Sequence, residues 1–467
     1  MNRQHRAQRP RISRRDLLRA GGMGAGVLAL GPLLAACGQS DEELIGDGPG
    51  ASASPGAGGG DGDGGLVWLS TQLSPVEEAE AVRNSILAGF DQPVEFVGDD
   101  VSFIDRVVAQ AEAGDVTTSL LGGLHGDFAT LVERDLLMDL SDLGDELSDR
   151  GFNEDYLELA GFGGDGLFYI PWMQATYILA ARTEALELLP GGADIGALTY
   201  EQWAQWGQAI ADAGEGQRLG LPASDEGLLH RFFQGYAYPS FTGALNTQFS
   251  SGGAADMWAW LRELWPNANP QSSTYGYMQE PLRSGEVWIA WDHVARLVDA
   301  LRAEPDAFTA FPAPVGPQGL GFMPVVAGLA IPNGAPAEQA ARDLIAYLTT
   351  PETTQVTLAE VGFYPPFAGE LELGGDLDPG IVAQAEAVQA MTSSPDAIPS
   401  LLPIGLGEQD GAYNDVFRTA FETIVINGAD VQQTLDEQAA TLQGVLDEAG
   451  AACWQPDPEG DGVCQVG

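Results

Sequence analysis

The sequence predicts an α/β fold, and three observations predict it. Short apolar runs of strand length alternate with stretches of helical periodicity from residue 66 onward. Helix-start chemistry stands between several of those runs. The chain after residue 65 is long enough for two lobes around a large core. Alternation of this kind gives a mostly parallel sheet covered by helices on both faces. Ligands in such sheets bind at the carboxyl ends of the strands.

Residues 66–70, Leu-Val-Trp-Leu-Ser, read as a buried strand. Ser74, Pro75 and Glu77 then read as N-cap, first-turn proline and capping-box partner. Val76, Ala79, Val82, Ile86 and Phe90 continue at helical spacing. Residues 94–97 form a second strand, and residues 102–113 a helix with Phe103, Val107 and Ala111 on one face. Residues 117–121 read as the third strand, which leaves Gly122-Gly123-Leu124 in the following loop. An apolar segment covers 171–179, and Thr199 with Gln202 opens another helix with a capping box. Residues 287–290 and 325–331 read as strands, 308–317 as a Pro-rich extended segment, and 336–348 and 351–360 as helices. Val431, Leu435, Leu442, Val445 and Leu446 mark a long amphipathic helix near the end of the chain.

The first 36 residues have the layout of a secretory signal. Seven arginines, Arg3, Arg6, Arg9, Arg11, Arg14, Arg15 and Arg19, precede an apolar stretch over 21–36 that is too short to span a bilayer. Residues 13–19 resemble a twin-arginine export signal, although the general secretory route could also read this peptide. Leu34-Ala35-Ala36-Cys37 resembles a bacterial lipobox, in which the cysteine is lipidated and becomes the mature N-terminus. Residues 37–65 then read as the lipidated Cys37 and a flexible acidic tether of Gly, Ser, Ala, Asp, Glu and Pro. The expected location is the extracytoplasmic face of the cell membrane, held there by lipid.

Net charge is −47, and all 20 basic residues are Arg. Nucleic-acid binding is excluded, since phosphate contacts need a basic face. The acidity itself reads as a solubility charge with some adaptation to salt. Of three cysteines, Cys37 is assigned to lipid, and Cys453 with Cys464 is expected to close a small disulfide loop within 451–467. Four histidines without metal-ligand spacing give no metal site, and no cofactor is expected. There is no Gly-x-Ser-x-Gly elbow, His-Glu-x-x-His or Gly-rich phosphate loop, so the chain is not read as an enzyme.

Together these segments resemble the extracellular solute-binding proteins of ABC importers, in the family that includes maltose- and other sugar-binding proteins. The similarity lies in 66–71, in 121–140 with Asp135-Leu136-Leu137-Met138-Asp139-Leu140, in 168–182, and in 190–203 with Tyr200 where the family has Trp. It continues in 285–293, in 328–366, and in Ile426-Asn427-Gly428 with the last helix. The resemblance implies a two-lobe periplasmic-binding-protein-like fold with an interlobe ligand cleft and hinge crossings. Lobe I would be 66–174 plus 311–364, and lobe II 175–310 plus 365–450, with crossings near 173–176, 310–313 and 363–367. It also implies a monomer that closes on its solute by hinge motion, the closed form being read by the membrane permease.

A sugar presents fixed hydroxyls and an apolar ring face, so its site needs aromatic platforms and planar polar side chains. The segments implied at the cleft supply Gln72, His125, Asp127, Trp172, Gln174, Tyr177, Tyr236, Tyr238, Trp291, Asp292, His293, Met323 and Tyr364. Second readings stand beside several of these. Trp172 and Tyr177 also fit hinge packing, Asp127 an N-cap, and Tyr236 and Tyr238 a lobe core. Gly122-Gly123-Leu124 stands where the family usually has an aromatic and an acid, which leaves the sugar open. The rival solutes are a polyamine, an iron(III) complex or a peptide; the rival classes are a secreted hydrolase and a sensor subunit.

Overall fold

The computed structural model describes residues 65–467 apart from 100, 370–372, 374–376, 459 and 461. The export signal, Cys37 and the acidic tether lie outside the described residues.

Eleven strands among the described residues fall into three sheets. In chain order they are β1 (Leu66–Ser70), β2 (Val94–Gly98), β3 (Leu120–Leu124), β4 (Ile170–Ala175), β5 (Tyr177–Arg182) and β6 (Leu219–Gly220). They continue as β7 (Ile289–His293), β8 (Phe308–Phe311), β9 (Leu320–Phe322), β10 (Val325–Ala330) and β11 (Ala397–Pro399). The first sheet has the order β2-β1-β3-β10-β4, the second β6-β7-β5-β8, and β9 pairs with β11.

β1 shows why this chain builds its first sheet. Leu66 and Trp68 pack in one core, while Leu69 packs in another with Phe103, Val107 and Leu121. Successive side chains point to opposite faces, so a strand buried on both faces reads as a continuous apolar run. The helix over Val76–Ala81 continues as a wider turn over Val82–Ile86, with Ala79, Val82 and Ile86 buried. Pro75 rather than Ser74 stands at its N-cap, without a side-chain capping bond, and Ser74 lies against the end of β2, where a Cβ on Gly98 would be 2.8 Å from the Ser74 Cα. The capping box at Thr199 and Gln202 is present, with Thr199 Oγ1 accepting from the Gln202 amide at 3.2 Å and Gln202 Oε1 accepting from the Thr199 amide at 3.0 Å.

Two features differ from the sequence reading. β3 runs over 120–124 rather than 117–121. The amides of Thr117 and Thr118 are taken by the Gln110 side chain, at 3.0 and 3.1 Å, instead of a neighbouring strand. Gly122 lies inside the strand because a Cβ there would meet Ser70 Oγ at 2.7 Å and Trp68 Nε1 at 2.9 Å. The first sheet is also mixed rather than mostly parallel. β1 pairs in parallel with β2 and β3, but β10 is antiparallel to both β3 and β4. β4 and β10 are the two strands that lead to and from the second sheet, so they run in opposite senses.

The connections between the two sheets are short and lie side by side. β4 passes to β5 through Thr176 alone. Its Oγ1 donates to the Met323 carbonyl at 2.9 Å, between β9 and β10. β9 packs against residues 233–242 of the second-sheet side, so the chain returns at Met323 and Pro324, later than 310–313. The third connection follows the helix Pro351–Val361, which Gly362 ends at φ 73°. There Gln174 and Tyr364 exchange both backbone hydrogen bonds at 2.8 Å. At the far end of the chain Cys453 and Cys464 are disulfide-bonded. The buried Asp457 in that loop accepts the backbone amides of Leu245, Asn246 and Thr247. Among the described residues no helix is long and apolar enough to cross a membrane.

Candidate functional site

Strand direction locates the site. β4 runs toward the Thr176 connection and β10 away from it. β3 is antiparallel to β10, and β1 and β2 are parallel to β3, so all three end on the connection side. In the second sheet β5 runs away, β7 is antiparallel to it, and β6 is parallel to β7. The carboxyl ends of β1, β2, β3, β6 and β7 therefore all face the connections, where α/β sheets bind ligands.

On the first-sheet side, a polar chain joins the loops after β1 and β3. Gln72 Nε2 donates to Thr71 Oγ1 at 3.1 Å, and Thr71 Oγ1 donates to Asp127 Oδ2 at 2.9 Å. Asp127 Oδ2 also accepts the Leu124 amide at 2.8 Å, which ties down the start of the helix His125–Glu133 from its third residue. Burial raises the Asp127 pKa, opposed by those two hydrogen bonds.

On the second-sheet side an aromatic knot forms. Tyr177 stacks on Trp291 with ring centroids 4.9 Å apart and planes 5° apart. Tyr236 and His293 meet Tyr177 edge-on at 5.9 and 5.1 Å. Tyr236 Oη accepts the Tyr177 amide at 2.8 Å, and its single proton has two acceptors in reach, Thr176 Oγ1 at 2.8 Å and the Tyr177 carbonyl at 3.0 Å. Burial, and then the Arg296 charge, push the His293 pKa down to about 3, so its ring is neutral. Tyr177 is pushed up to about 12 by burial, with Arg231 and Arg296 pulling it down and Asp292 adding to the rise.

Other sequence candidates sit elsewhere. Gln174 is spent on the connection, donating to the Pro365 carbonyl at 2.8 Å and accepting from Tyr156 Oη. Met323 and Tyr364 are buried in the same connection, and the Tyr364 hydroxyl has no partner among the described residues. Trp172 lies in the first-sheet core, edge-on to Trp68 at 5.1 Å. His125 stacks on Phe162 at 4.5 Å and contacts Tyr169 Oη at 3.1 Å, and burial lowers its pKa to about 4. Tyr238 is inside the second lobe, donating to the Phe249 carbonyl and accepting from Trp258 Nε1, both at 3.1 Å. Asp292 is fully buried on the strand face opposite Trp291 and His293. It accepts the amides of Met278 at 2.9 Å and His293 at 2.8 Å. Burial raises its pKa to about 7, against the pull of Arg296 and those two amides.

Three residues at this face carry no family motif and escaped the sequence reading: Arg231, Arg296 and Tyr277. Arg296 stands 4.1 Å above the exposed Tyr277 ring. An arginine three residues beyond the Trp291-Asp292-His293 run was the available signal for Arg296. Two surface hollows of about 340 and 350 Å³ lie on outer helix faces, beside Trp260 and beside Arg342, and neither includes a candidate residue.

Two sheets joined by short adjacent connections, with strand carboxyl ends converging on them, give the two-lobe architecture of periplasmic-binding-protein-like folds. The family model for bacterial extracellular solute-binding proteins matches residues 92–389, and the chain belongs to that family. No curated protein matches in sequence. Among solved structures, maltose-bound MalE3 of T. maritima is 18% identical, with 82% of this chain and 99% of that chain covered and a TM-score of 0.64. The sugar-binding protein MalE of Xanthomonas citri is 15% identical, covering 82% and 97%, with a TM-score of 0.65. UgpB of Mycobacterium tuberculosis, in complex with glycerophosphocholine, is 17% identical, covering 83% and 99%, with a TM-score of 0.60. At these identities the likeness is one of fold.

Proposed function

We propose that this chain is the solute-capturing subunit of an ABC importer, and that it takes a sugar or oligosaccharide between its lobes and hands it to a membrane permease. The observation that carries the reading is the Tyr177–Trp291 stack beside Tyr236 and His293, on the face where the strand ends converge. Tyr177, Trp291 and Tyr236 are buried against one another with the half-buried His293 at their edge, and Gln72, Thr71 and Asp127 offer planar and hydroxyl partners from the first-sheet side. The buried indole N–H of Trp291 has no acceptor among the described residues and is a donor for a solute oxygen.

The lobes are built on the two sheets and divide at Thr176, at Met323 and Pro324, and after Gly362. The role is binding without chemistry. A monomer fits it, tethered through lipid on Cys37 and the acidic segment 38–65 after twin-arginine export. Tethering keeps a diffusible receptor near its permease. A polyamine is the weaker solute, because Arg296, held by the Gly276 carbonyl and the Tyr277 ring directly after β7, puts a positive charge at this face.

A thermal-shift screen of the purified protein against neutral sugars, acidic sugars and spermidine, at fixed ionic strength, tests this. A rise in melting temperature with a sugar and none with spermidine supports the reading. A rise with spermidine alone overturns the sugar assignment, and turnover of a glycoside overturns binding without chemistry.

A further inference from the structure

In a chain of 20 Arg and 67 Asp and Glu, an arginine without a carboxylate is informative. Six of the described arginines have a carboxylate within 4.0 Å. The other seven described arginines have none, and four of those are half-buried: Arg218 and Arg302, which spend their donors on several backbone carbonyls, and Arg231 and Arg296, which do not. Both stand at the cleft-facing edge of the second sheet. β6 and β7 are parallel neighbours, with Leu219 opposite Ile289, so the segments that follow them emerge side by side. Arg231 lies on the short turn of helix Leu229–Phe232 that follows β6, and Arg296 on the turn Val294–Arg296 directly after β7.

Their fixing leaves donors free. Arg231 Nη1 donates to Gln234 Oε1 at 2.8 Å. Arg296 Nη1 donates to the Gly276 carbonyl at 2.9 Å, and the Tyr277 ring supports the guanidinium plane from below. The other N–H groups of both guanidiniums have no partner among the described residues. Gly276 in turn belongs to a segment tied to the β6 loop, where the Ser224 amide donates to the Tyr275 carbonyl at 3.2 Å. Burial raises the Tyr177 pKa and lowers that of His230, and the Arg231 and Arg296 charges pull both down, with Arg418 adding at His230. The carboxyl group that also reaches Tyr177 is Asp292, whose oxygens accept two backbone amides.

A guanidinium held by one N–H, with the rest of its fork open, suits an oxyanion, which it grips through two parallel hydrogen bonds. We infer that Arg231 and Arg296 form an oxyanion subsite of the cleft, so that the captured solute is an acidic sugar or a sugar phosphate rather than a neutral sugar. This rests on the solute-capture reading above and narrows its substrate class. The carboxylate and phosphate forms share the recognition chemistry, and the test separates them.

The test is calorimetric titration of the purified protein with glucose, glucuronate and glucose 6-phosphate at fixed ionic strength. It is repeated for Arg231→Gln, Arg296→Gln, the charge-keeping Arg296→Lys, and Arg262→Gln as a control away from the cleft. Circular dichroism checks that each variant is folded. The expected result is that one acidic probe binds at least tenfold tighter than glucose. Each Arg→Gln change then weakens that probe by about 10- to 100-fold, as for hydrogen bonds to a charged group, and leaves glucose unchanged. Arg296→Lys keeps part of the affinity and Arg262→Gln all of it. Which acidic probe wins separates carboxylate from phosphate. If glucose binds as tightly as both acids, or the Arg variants weaken all probes equally, the subsite is overturned while solute capture stands. If neither acid binds, the subsite is overturned, and solute capture is decided separately by the thermal-shift screen.

Discussion

Replacing Tyr236 by Phe removes one oxygen from the centre of the connection. That oxygen serves Thr176 Oγ1, the Tyr177 amide and the Tyr177 carbonyl, at 2.8, 2.8 and 3.0 Å, and the ring is fully buried. Thr176 keeps its bond to the Met323 carbonyl, so its hydroxyl stays satisfied. The Tyr177 amide loses its acceptor in a dry site. An orphaned buried donor costs about 1–3 kcal/mol, and loss of the weaker bond to the carbonyl adds about 0.5–1 kcal/mol. The expected loss is about 2–3 kcal/mol, with little contribution from volume because the ring remains. Urea denaturation followed by tryptophan fluorescence reads it as a lower midpoint at unchanged slope. A loss below about 0.5 kcal/mol would refute the reasoning, because the hydroxyl would then not be holding the first connection to the second sheet.

Three further outcomes follow from the same structure. The pKa of Asp292 is raised in the folded state to about 7, so its stabilising contribution is complete below the ordinary carboxylate value and is lost as pH rises from about 4 through 7. Relative to Asp292→Asn, the wild type should therefore lose stability between pH 4.5 and pH 8, by up to about 3 kcal/mol, and urea melts at the two pH values would show a constant difference if burial did not govern this group. Asp457→Ala strips three backbone amides and the Thr247 hydroxyl of their acceptor; a loss of about 3 kcal/mol is expected in the same assay, with faster proteolysis after residue 450. Gly235→Ala places a methyl 2.5 Å from the Met323 Cβ, on backbone that cannot yield cheaply, and it should destabilise by about 1–3 kcal/mol, measured as a lower melting temperature.

Much of the fold was legible because both faces of these strands are covered. A run such as Leu66-Val67-Trp68-Leu69 needs no partner to be recognised as a buried strand. The ends were less legible, since they depend on contacts distant in sequence. Nothing local says that Gln110 takes the amides of Thr117 and Thr118, or that Gly122 must be bare to clear Ser70 and Trp68. Strand sense was hidden for the same reason, as β4 and β10 meet only through chain that visits the second sheet in between.

The grouping of the candidate residues was legible in type more than in position. Tyr177, Tyr236, Trp291 and His293 come together, because two neighbouring strands and one packed helix carry them. Tyr238, two residues from Tyr236, points instead into the lobe interior, where Phe249 and Trp258 take its hydroxyl. His125 and Asp127 are also two residues apart, yet one joins an aromatic cluster and the other bonds Thr71. Arg231 and Arg296 belong to no motif, and their lack of carboxylate partners is visible only in three dimensions.

The central claim is that one solute binds between the lobes at the Tyr177–Trp291 stack. Calorimetric titration with the sugar that most raises the melting temperature, on the wild type and on Trp291→Ala checked for folding, tests it most directly. The account predicts saturation at one solute per chain in the wild type, with affinity reduced at least tenfold in the variant. Saturation with unchanged affinity in Trp291→Ala would contradict it.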